Sequence, residues 1–285
     1  MKEASNSISK YNQLSFETGA LITKTYSTSF YSATRLLEKE IQQAIQSIYG
    51  FVRLADEIVD TFHDFDKVSL LKKFEEDYYQ SIAENISLNP ILNAFQITVK
   101  KYQIPDEYIQ NFLNSMRADL EKKEYISKLE MDQYIYGSAD VVGLMCLKVF
   151  SNNDQHLFQS LVVPAMRLGS AFQKVNFLRD LKEDTEILGR VYFPQLSIKS
   201  FDENTKNEIV SEIENNFQDA FEGIKRLPGK SKLAVYVAYK YYTVLLKKIK
   251  HASFEEVSTK RIRISDASKL RIFIHSYVKF KLKLI

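Results

Sequence analysis

The chain has 285 residues, 45% hydrophobic and 26% charged, and its 39 basic and 36 acidic residues give a formal net charge of +3. With only eight glycines and five prolines, this composition argues against all-β, collagen-like and disordered proteins. The near balance of charge predicts no nucleic-acid partner, and the single Cys146 excludes an intramolecular disulfide and a cysteine-based zinc site.

The predicted elements are all helices. From Glu40 to Phe62, apolar residues recur every three or four positions, which predicts a helix with one buried face. A second pattern of this kind runs from Leu161 to Leu181 and extends to the acidic residue Asp184. Further helices are predicted at about 66–84, 106–122, 130–150, 205–225, 230–250 and 267–281, with loops at 197–204 and 258–266. No linker or repeat interrupts the chain, so we predict one all-α domain over residues 1–285, with residues 1–15 as a candidate disordered segment.

The compartment is predicted from the same sequence. The polar start of the chain, Met1 to Gln13, lacks the continuous apolar core of a secretory signal. No window reaches the roughly 18 uncharged apolar residues of a membrane span. We therefore expect a cytoplasmic protein, with peripheral contact at the inner face of the membrane as an open alternative.

Two pairs of aspartates carry the first chemical signal. Asp56 and Asp60 are four residues apart on the first helix, as are Asp180 and Asp184 on the second. Four residues turn a helix by about 400°, so the members of each pair lie about 40° apart on one face. That face borders the buried stripe, where a carboxylate is costly unless it is paired or bound to a metal ion.

Oxygen-bearing and basic residues extend the second pair. Gln173 and Asn176 precede Asp180 at helical spacing, and a ligand set of oxygens without His or Cys favours Mg²⁺ completed by phosphate oxygens. Arg53 and Arg179 stand beside the two pairs, and an arginine fork matches phosphate. The alternative is chance, because a chain with 36 acids also places such pairs on exposed helix faces.

Small residues cluster on two of the helices, at 137–139 and 143 and at 169–171. They would leave room for a long apolar ligand or allow two helices to cross closely, and the sequence leaves both interpretations open.

Five segments resemble the squalene and phytoene synthase family of head-to-head prenyl transferases, and they follow one another in the family's order. The segments are Tyr26-Ser-Thr-Ser-Phe30, Tyr49-Gly-Phe-Val-Arg-Leu-Ala-Asp-Glu-Ile-Val-Asp60, Tyr134-Ile-Tyr-Gly-Ser-Ala-Asp-Val-Val-Gly143, Gln173-Lys-Val-Asn-Phe-Leu-Arg-Asp-Leu-Lys-Glu-Asp184 and Gly189-Arg-Val-Tyr-Phe-Pro194. A weaker match at Tyr242 and Arg261 extends the resemblance over about residues 20–270. Asp140, where the family usually has a small residue, and a longer spacing between Asp184 and Gly189 depart from the pattern.

The resemblance implies an isoprenoid-synthase helical bundle with a central cavity, in which about two or three Mg²⁺ ions assist the condensation of two identical prenyl diphosphates. It implies five metal ligands: Asp56, Asp60, Asn176, Asp180 and Asp184. It implies ten diphosphate-binding residues: Tyr26, Ser27, Thr28, Ser29, Tyr49, Arg53, Gln173, Arg179, Tyr242 and Arg261. Tyr134 would lie near the departing diphosphate, and with Arg53 and the four aspartates it completes the expected catalytic set.

The sequence of the acidic segments, especially from Gly50 to Asp56, looks closer to that of bacterial carotenoid enzymes. The resemblance therefore favours geranylgeranyl diphosphate going to phytoene through a cyclopropyl diphosphate, without a nicotinamide cofactor and with a downstream desaturase as a candidate partner. The alternatives are dehydrosqualene or squalene formation from farnesyl diphosphate, and a non-catalytic helical assembly factor with the same fold.

The C-terminal stretch from Lys269 to Ile285 is basic, contains aromatic residues and has no acid. Two interpretations stay open: a tail lying on an anionic membrane surface, or a terminal helix packed on the bundle with a solvated lysine face.

Overall fold

The structure, a computed structural model, describes residues 2–194 and 202–285, with side chains described from residue 7. In these residues the chain is helical, and its only extended pairing is an isolated parallel bridge between Glu124 and Val191. The predicted all-α fold is confirmed. Of the predicted loop at 197–204, residues 197–201 lie outside the described residues.

The helices run in chain order as follows. They are α1 (Lys2–Tyr26), α2 (Thr28–Thr34), α3 (Lys39–Asp60), α4 (Lys67–Glu84), α5 (Pro90–Tyr102), α6 (Asp106–Glu121), α7 (Lys128–Ile135), α8 (Val141–Ser151), α9 (Gln155–Arg179), α10 (Leu181–Glu186), α11 (Glu203–Ile224), α12 (Gly229–His251), α13 (Phe254–Thr259) and α14 (Asp266–Lys281). A short π-helical segment, Tyr136–Asp140, joins α7 to α8.

Most predicted helices appear with shifted ends. The helix predicted at 130–150 is divided into α7, the π segment and α8, and the loop predicted at 258–266 begins only after Thr259. Helices α1, α2, α5 and α13 are not among the predicted ones. Helix α5 has its proline in the first turn, where the missing N–H costs nothing, so this proline starts a helix rather than ending one.

In the candidate disordered segment at 1–15, the structure describes α1 from Lys2 onward, with side-chain contacts from residue 7. The Tyr11 hydroxyl donates to the Ser87 carbonyl at 2.6 Å, and the Asn93 side-chain amide donates to Asn12 Oδ1 and Ser15 Oγ, each at 3.0 Å. These bonds tie the polar side of α1 to α5 and the turn before it. Residues 11–15 are therefore held by polar contacts that a hydrophobic pattern does not reveal.

The centre of the bundle forms where α9 crosses the π segment and α11. A Cβ atom at Gly169 would lie 2.9 Å from the Ala139 carbonyl oxygen, and one at Gly137 would lie 2.5 Å from the Asn111 carbonyl oxygen. Side chains at these positions would push the helices apart. Close packing is therefore one use of the small residues, although Ser138, Ala139 and Gly143 also line the cavity described below.

Helix α14 packs one face on α12. Ile272, Phe273 and Phe280 contact a buried cluster that includes Leu233 and Val237. Two of the three aromatic residues of the C-terminal stretch, Phe273 and Phe280, thus face the protein, as in the interpretation of a terminal helix packed on the bundle.

Candidate active site

A cavity of about 1170 Å³ opens between α3, α9 and α12. Most of its acidic and basic lining residues come from the C-terminal ends of α3 and α9, from α10, and from the segments that follow α10 and α13. Toward the middle of α8 and α9 the lining becomes apolar, with residues such as Val142, Leu147, Leu161, Leu168 and Phe172. The cavity therefore combines a charged end with an apolar body, a shape that suits a ligand with a charged head and a long hydrocarbon chain.

The structure brings every predicted site residue to this one cavity. Its lining includes Tyr26, Ser27, Thr28, Ser29, Tyr49, Arg53, Asp56, Asp60, Tyr134, Gln173, Asn176, Arg179, Asp180, Asp184, Tyr242 and Arg261. Tyr26 and Arg261, which are far apart in the sequence, thus line the same cavity. The aspartate pairs lie in this cavity too, which argues against the alternative that chance placed them on exposed helix faces. The individual roles of these residues remain predictions.

The first acidic pair lies on α3, whose buried face includes Ala55 and Val59. Arg53 Nη1 donates to Asp56 Oδ2 at 2.7 Å, and the same guanidinium pairs with Glu57 and lies 4.4 Å from the centre of the Tyr26 ring. Burial, together with the negative charge of Asp60, raises the pKa of Asp56 to about 6. A positive charge at this point would relieve the crowding of the two carboxylates.

The second acidic pair does not lie on one continuous helix, which corrects the sequence prediction. Helix α9 ends at Arg179, and Asp180, with φ −102° and ψ 10°, separates it from α10. The Asp184 N–H still donates to the Asp180 carbonyl at 2.9 Å, so the four-residue spacing survives the break. Both side chains line the cavity.

Basic side chains hold Asp180 in place. Arg179 Nε donates to Asp180 Oδ1 at 3.0 Å, and Arg261 Nε lies 2.9 Å from the same oxygen. Arg261 Nη1 also donates to Glu183 Oε2 at 3.0 Å. These arginines keep an anionic side chain at the cavity wall and present further N–H groups to it.

The two acidic pairs face one another across the cavity. Burial, together with the charges of Asp180 and of Asp60 on the opposite wall, raises the pKa of Asp184 to about 8. Arg190 contacts both pairs, since its Nη1 donates to Asp60 Oδ1 at 2.7 Å and its backbone N–H donates to the Asp184 carbonyl at 2.7 Å. The opposed carboxylates are the arrangement in which a bound cation would be most strongly stabilised.

The oxygen-rich walls fit Mg²⁺. In the described part of the chain, no three His, Cys, Asp or Glu side chains form a closed metal-binding group. Mg²⁺ does not need one, since it keeps several waters and binds through one or two carboxylates together with phosphate oxygens. Asn176 adds an amide oxygen, which accepts from the Tyr242 hydroxyl at 3.2 Å. The donor set of carboxylate and amide oxygens fits a divalent cation here.

Three functional candidates were missed in the sequence: Arg190, Asp119 and Tyr192. Arg190 is only 5% exposed; its Nη1 donates to Asp60 Oδ1 at 2.7 Å and its Nη2 donates to the Asp119 carbonyl at 2.9 Å. Arg190 and Tyr192 belong to a segment quoted for the family resemblance but given no role, and Asp119 lies in none of the quoted segments. No local pattern marked Asp119, because its partners are distant in sequence.

Two loops bring Arg190 to this position. The Val191 N–H donates to the Lys123 carbonyl at 2.8 Å, the Tyr125 N–H donates to the Val191 carbonyl at 3.1 Å, and the Arg190 N–H donates to the Asp184 carbonyl at 2.7 Å. The backbone around Arg190 is thus bonded on both sides. The position of its guanidinium is set before any ligand binds.

Asp119 and Tyr134 form a buried pair at the bottom of the charged end. The Tyr134 hydroxyl donates to Asp119 Oδ2 at 2.8 Å, and the Tyr134 and Tyr192 rings stack with centroids 5.2 Å apart. Burial raises the pKa of Asp119 to about 7, which the charge of Arg190 partly opposes. Burial also holds the pKa of Tyr134 well above its usual value, so its phenol stays protonated.

The opposite side of the mouth carries hydroxyl and aromatic groups. The Phe30 N–H donates to Ser27 Oγ at 3.3 Å, and the Phe30 ring stacks on Tyr49 with centroids 5.1 Å apart. Burial raises the pKa of Tyr49 to about 12. Tyr49 therefore remains a neutral hydrogen-bond donor at any physiological pH.

Asp140, the departure from the family pattern, does not line the cavity. Its Oδ1 accepts from Ser170 Oγ at 2.8 Å, which joins the π segment to α9. Burial raises the pKa of this carboxyl to about 7. The substitution therefore acts on helix packing behind the cavity wall rather than on the wall itself.

Comparisons with known proteins agree with this geometry. A family model described as squalene/phytoene synthase matches residues 23–268. The chloroplastic phytoene synthase of an Oncidium hybrid cultivar is 30% identical over 270 residues, which cover 87% of this chain and 64% of that protein. The phytoene synthase of Arthrospira platensis is 27% identical over 266 residues, which cover 85% of each chain.

Two solved structures share the fold. A dehydrosqualene synthase crystallised with a ligand superposes with a TM-score of 0.80 at 22% identity, over 95% of this chain and 98% of the other. A squalene synthase from Alicyclobacillus acidocaldarius superposes with a TM-score of 0.72 at 20% identity, over 84% and 94%. At these identities the likeness is evidence for the isoprenoid-synthase fold alone.

Proposed function

The chain belongs to the squalene/phytoene synthase family of prenyltransferases, and we propose that it joins two molecules of geranylgeranyl diphosphate head to head to form phytoene. The observation that carries the proposal is the position of the two facing acidic pairs at one end of an apolar cavity. The chain spans 64% of the length of the Oncidium relative, so the activity and the substrate of that protein are proposals for this chain.

The charged end would hold the diphosphates. Mg²⁺ bound by Asp56 and Asp60 on one wall and by Asn176, Asp180 and Asp184 on the other would neutralise the diphosphate and make it a better leaving group. Arg53, Arg179 and Arg261 now pair with carboxylates, and their remaining N–H groups would bind phosphate oxygens. The hydroxyl groups of Ser27, Thr28, Ser29 and Tyr49, with the Gln173 amide, would complete the binding.

The first half of the reaction is an ionisation and an attack. The bond between C1 and oxygen of the donor breaks with both electrons passing to the diphosphate, and the double bond of the second molecule attacks the resulting allylic cation. Loss of a proton closes a cyclopropyl diphosphate. Arg190 and Tyr134 line the same cavity, and their guanidinium and protonated phenol would stabilise the leaving oxygens of the diphosphate.

The second half needs a dry chamber. Departure of the second diphosphate gives another cation, which rearranges and loses a proton to leave a C40 hydrocarbon. Water would capture such a cation, and the apolar lining supplied by residues such as Val142, Leu147, Leu161, Leu168 and Phe172 excludes it. Because the last step is proton loss, the proposed reaction needs no nicotinamide cofactor.

Formation of dehydrosqualene or squalene from farnesyl diphosphate is the second candidate. The structural neighbours are named as dehydrosqualene and squalene synthases, but that likeness concerns the fold. The relatives with higher sequence identity are phytoene synthases, and they support the C20 substrate.

The experiment compares the two substrates directly. Purified protein is incubated with Mg²⁺ and either geranylgeranyl or farnesyl diphosphate, without nicotinamide, and the hydrocarbon is identified by mass spectrometry. We expect a C40 product from the C20 substrate. Preference for the C15 substrate would overturn the phytoene assignment, and no turnover of either substrate would favour the non-catalytic assembly factor.

A further inference from the structure

Helix α14 has two apolar faces, and only one of them is used inside the protein. Phe273 and Phe280 pack toward α12, whereas Leu270, Ile274 and Val278 on the other side are 61%, 53% and 47% exposed. The apolar row continues to Leu282, which is 64% exposed. The spacing of four residues aligns these side chains along one side of the helix, and no described residue covers them.

Basic residues border this exposed row, which we call the outer face of α14. Arg271, Lys279, Lys281 and Lys283 lie along it, and Asp266 is the only acid between Ser265 and Ile285. Asp266 is already paired with Lys269, at 3.0 Å. No carboxylate in the described residues lies within ion-pair distance of Arg271, Lys279 or Lys283, so the positive charge around the apolar row is uncompensated.

An apolar row bordered by basic residues has the chemistry of a helix that lies in the plane of an anionic lipid surface. The apolar side chains enter the acyl boundary, and the long lysine and arginine side chains reach the phosphate groups. A second copy of this chain would bring an equal positive charge to the same face, and like charges repel. No helix among the described residues is apolar enough over sufficient length to cross a bilayer.

We propose that the outer face of α14, built on Leu270, Ile274, Val278 and Leu282, is a docking surface for an anionic membrane. The first turn of the same helix contributes Lys269 to the cavity lining, and the preceding residues Arg261–Ile264 also line it. The docked helix therefore adjoins the cavity. If the proposed function holds, this places the source of an insoluble hydrocarbon next to the bilayer, but the docking itself does not depend on that function.

The test is flotation of the full chain with phosphatidylcholine vesicles, with and without phosphatidylserine. The apolar variant carries Leu270→Ser, Ile274→Ser and Val278→Ser. Its matched control carries Leu14→Ser, Leu129→Ser and Val163→Ser, three exposed apolar residues on other helices. We expect the wild type and the control to float only with the anionic vesicles, and the apolar variant to lose binding by about tenfold or more.

A second pair of variants tests the charge. Arg271→Gln, Lys279→Gln and Lys283→Gln together should weaken binding by roughly fivefold per residue removed, and added salt should weaken the wild type in the same direction. The control removes exposed basic residues elsewhere, with Lys10→Gln, Lys73→Gln and Lys230→Gln. Circular dichroism of each variant verifies the fold.

Three results would overturn the proposal. They are a wild type that does not float with anionic vesicles, equal losses in the variants and their controls, and a dimer in light scattering that only the apolar variant dissociates. The last result would assign the face to a second copy of the chain. None of these measurements involves turnover, so failure of the proposed reaction would not be confused with failure of the docking.

Discussion

Arg190 Nη1 lies 2.7 Å from Asp60 Oδ1, although the two residues are 130 positions apart in the sequence. This contact joins the segment after α10 to the end of α3, and it places a buried guanidinium between the two acidic pairs. Arg190 also contacts the backbone of Asp119, whose side chain accepts a hydrogen bond from Tyr134. One arginine thus connects a predicted metal ligand to the predicted catalytic tyrosine.

Replacing this arginine should cost activity more than stability of the fold. For Arg190→Gln we expect kcat to fall by about 10²–10³, as for other donors that stabilise developing negative charge, while the helical circular dichroism is retained. Arg190→Lys keeps the positive charge but loses the planar, two-pronged donor geometry of the guanidinium, so it should recover only part of the wild-type kcat. Steady-state pyrophosphate release measures both variants. A rate within twofold of wild type for Arg190→Gln would remove this residue from the mechanism.

The break at Asp180 suggests a second variant. Asp180→Ala should lose activity by about 10² or more, because the residue is a predicted metal ligand and also anchors Arg179 and Arg261. Its helicity should persist, since Asp180 lies between two helices. The control is Asp219→Ala, an exposed acid on α11. Full activity of Asp180→Ala, measured with geranylgeranyl diphosphate and Mg²⁺, would exclude Asp180 from the metal site.

Asp140 predicts a dependence of stability on pH. Its pKa is raised from 3.8 to about 7, so between these values the folded protein holds a proton that the unfolded chain has released. The free energy of unfolding contributed by this group therefore falls as the pH rises, by about 2–3 kcal/mol between pH 5 and pH 8. The asparagine of Asp140→Asn has no carboxyl group to ionise, and its amide oxygen can still accept the hydrogen bond from Ser170 Oγ.

The measurement is urea unfolding of the wild type and Asp140→Asn at several pH values. Between about pH 5 and pH 8, the free energy of unfolding of the wild type should fall relative to that of Asp140→Asn. Parallel pH profiles would show that Asp140 ionises normally in the folded protein. Activity should change little, because Asp140 lies outside the cavity lining.

Gly169 tests the close crossing of α9 and the π segment. Gly169→Ala would place a methyl group 2.9 Å from the Ala139 carbonyl oxygen, and we expect a loss of about 1–3 kcal/mol in the free energy of unfolding. Gly50→Ala on α3 is the control, because its nearest neighbour would be a flexible Ile91 side chain at 3.5 Å. This control should be neutral or stabilising, since alanine favours helices. Equal thermal stability of the two variants would contradict the account of the crossing.

The sequence predicted the charged end of the cavity well because its parts repeat at helical spacing. Asp56 and Asp60 share one helix face, and that geometry follows from their spacing of four residues alone. It could not predict the break at Asp180 or the role of Asp119, because both depend on contacts between segments distant in the chain. Helix α1 was missed for a related reason, since its bonds to Ser87 and Asn93 are polar and long-range.

The central claim is that the two facing acidic pairs act together on one prenyl diphosphate. Its most direct test is the yield of pyrophosphate and hydrocarbon from geranylgeranyl diphosphate, with and without Mg²⁺, for wild type, Asp60→Asn, Asp184→Asn and the double variant. We expect two pyrophosphates per C40 hydrocarbon, and turnover only with Mg²⁺. The loss of activity in the double variant should be no greater than about the larger of the two single losses, as for residues that act as a unit. Turnover without Mg²⁺, or full activity in either single variant, would contradict it.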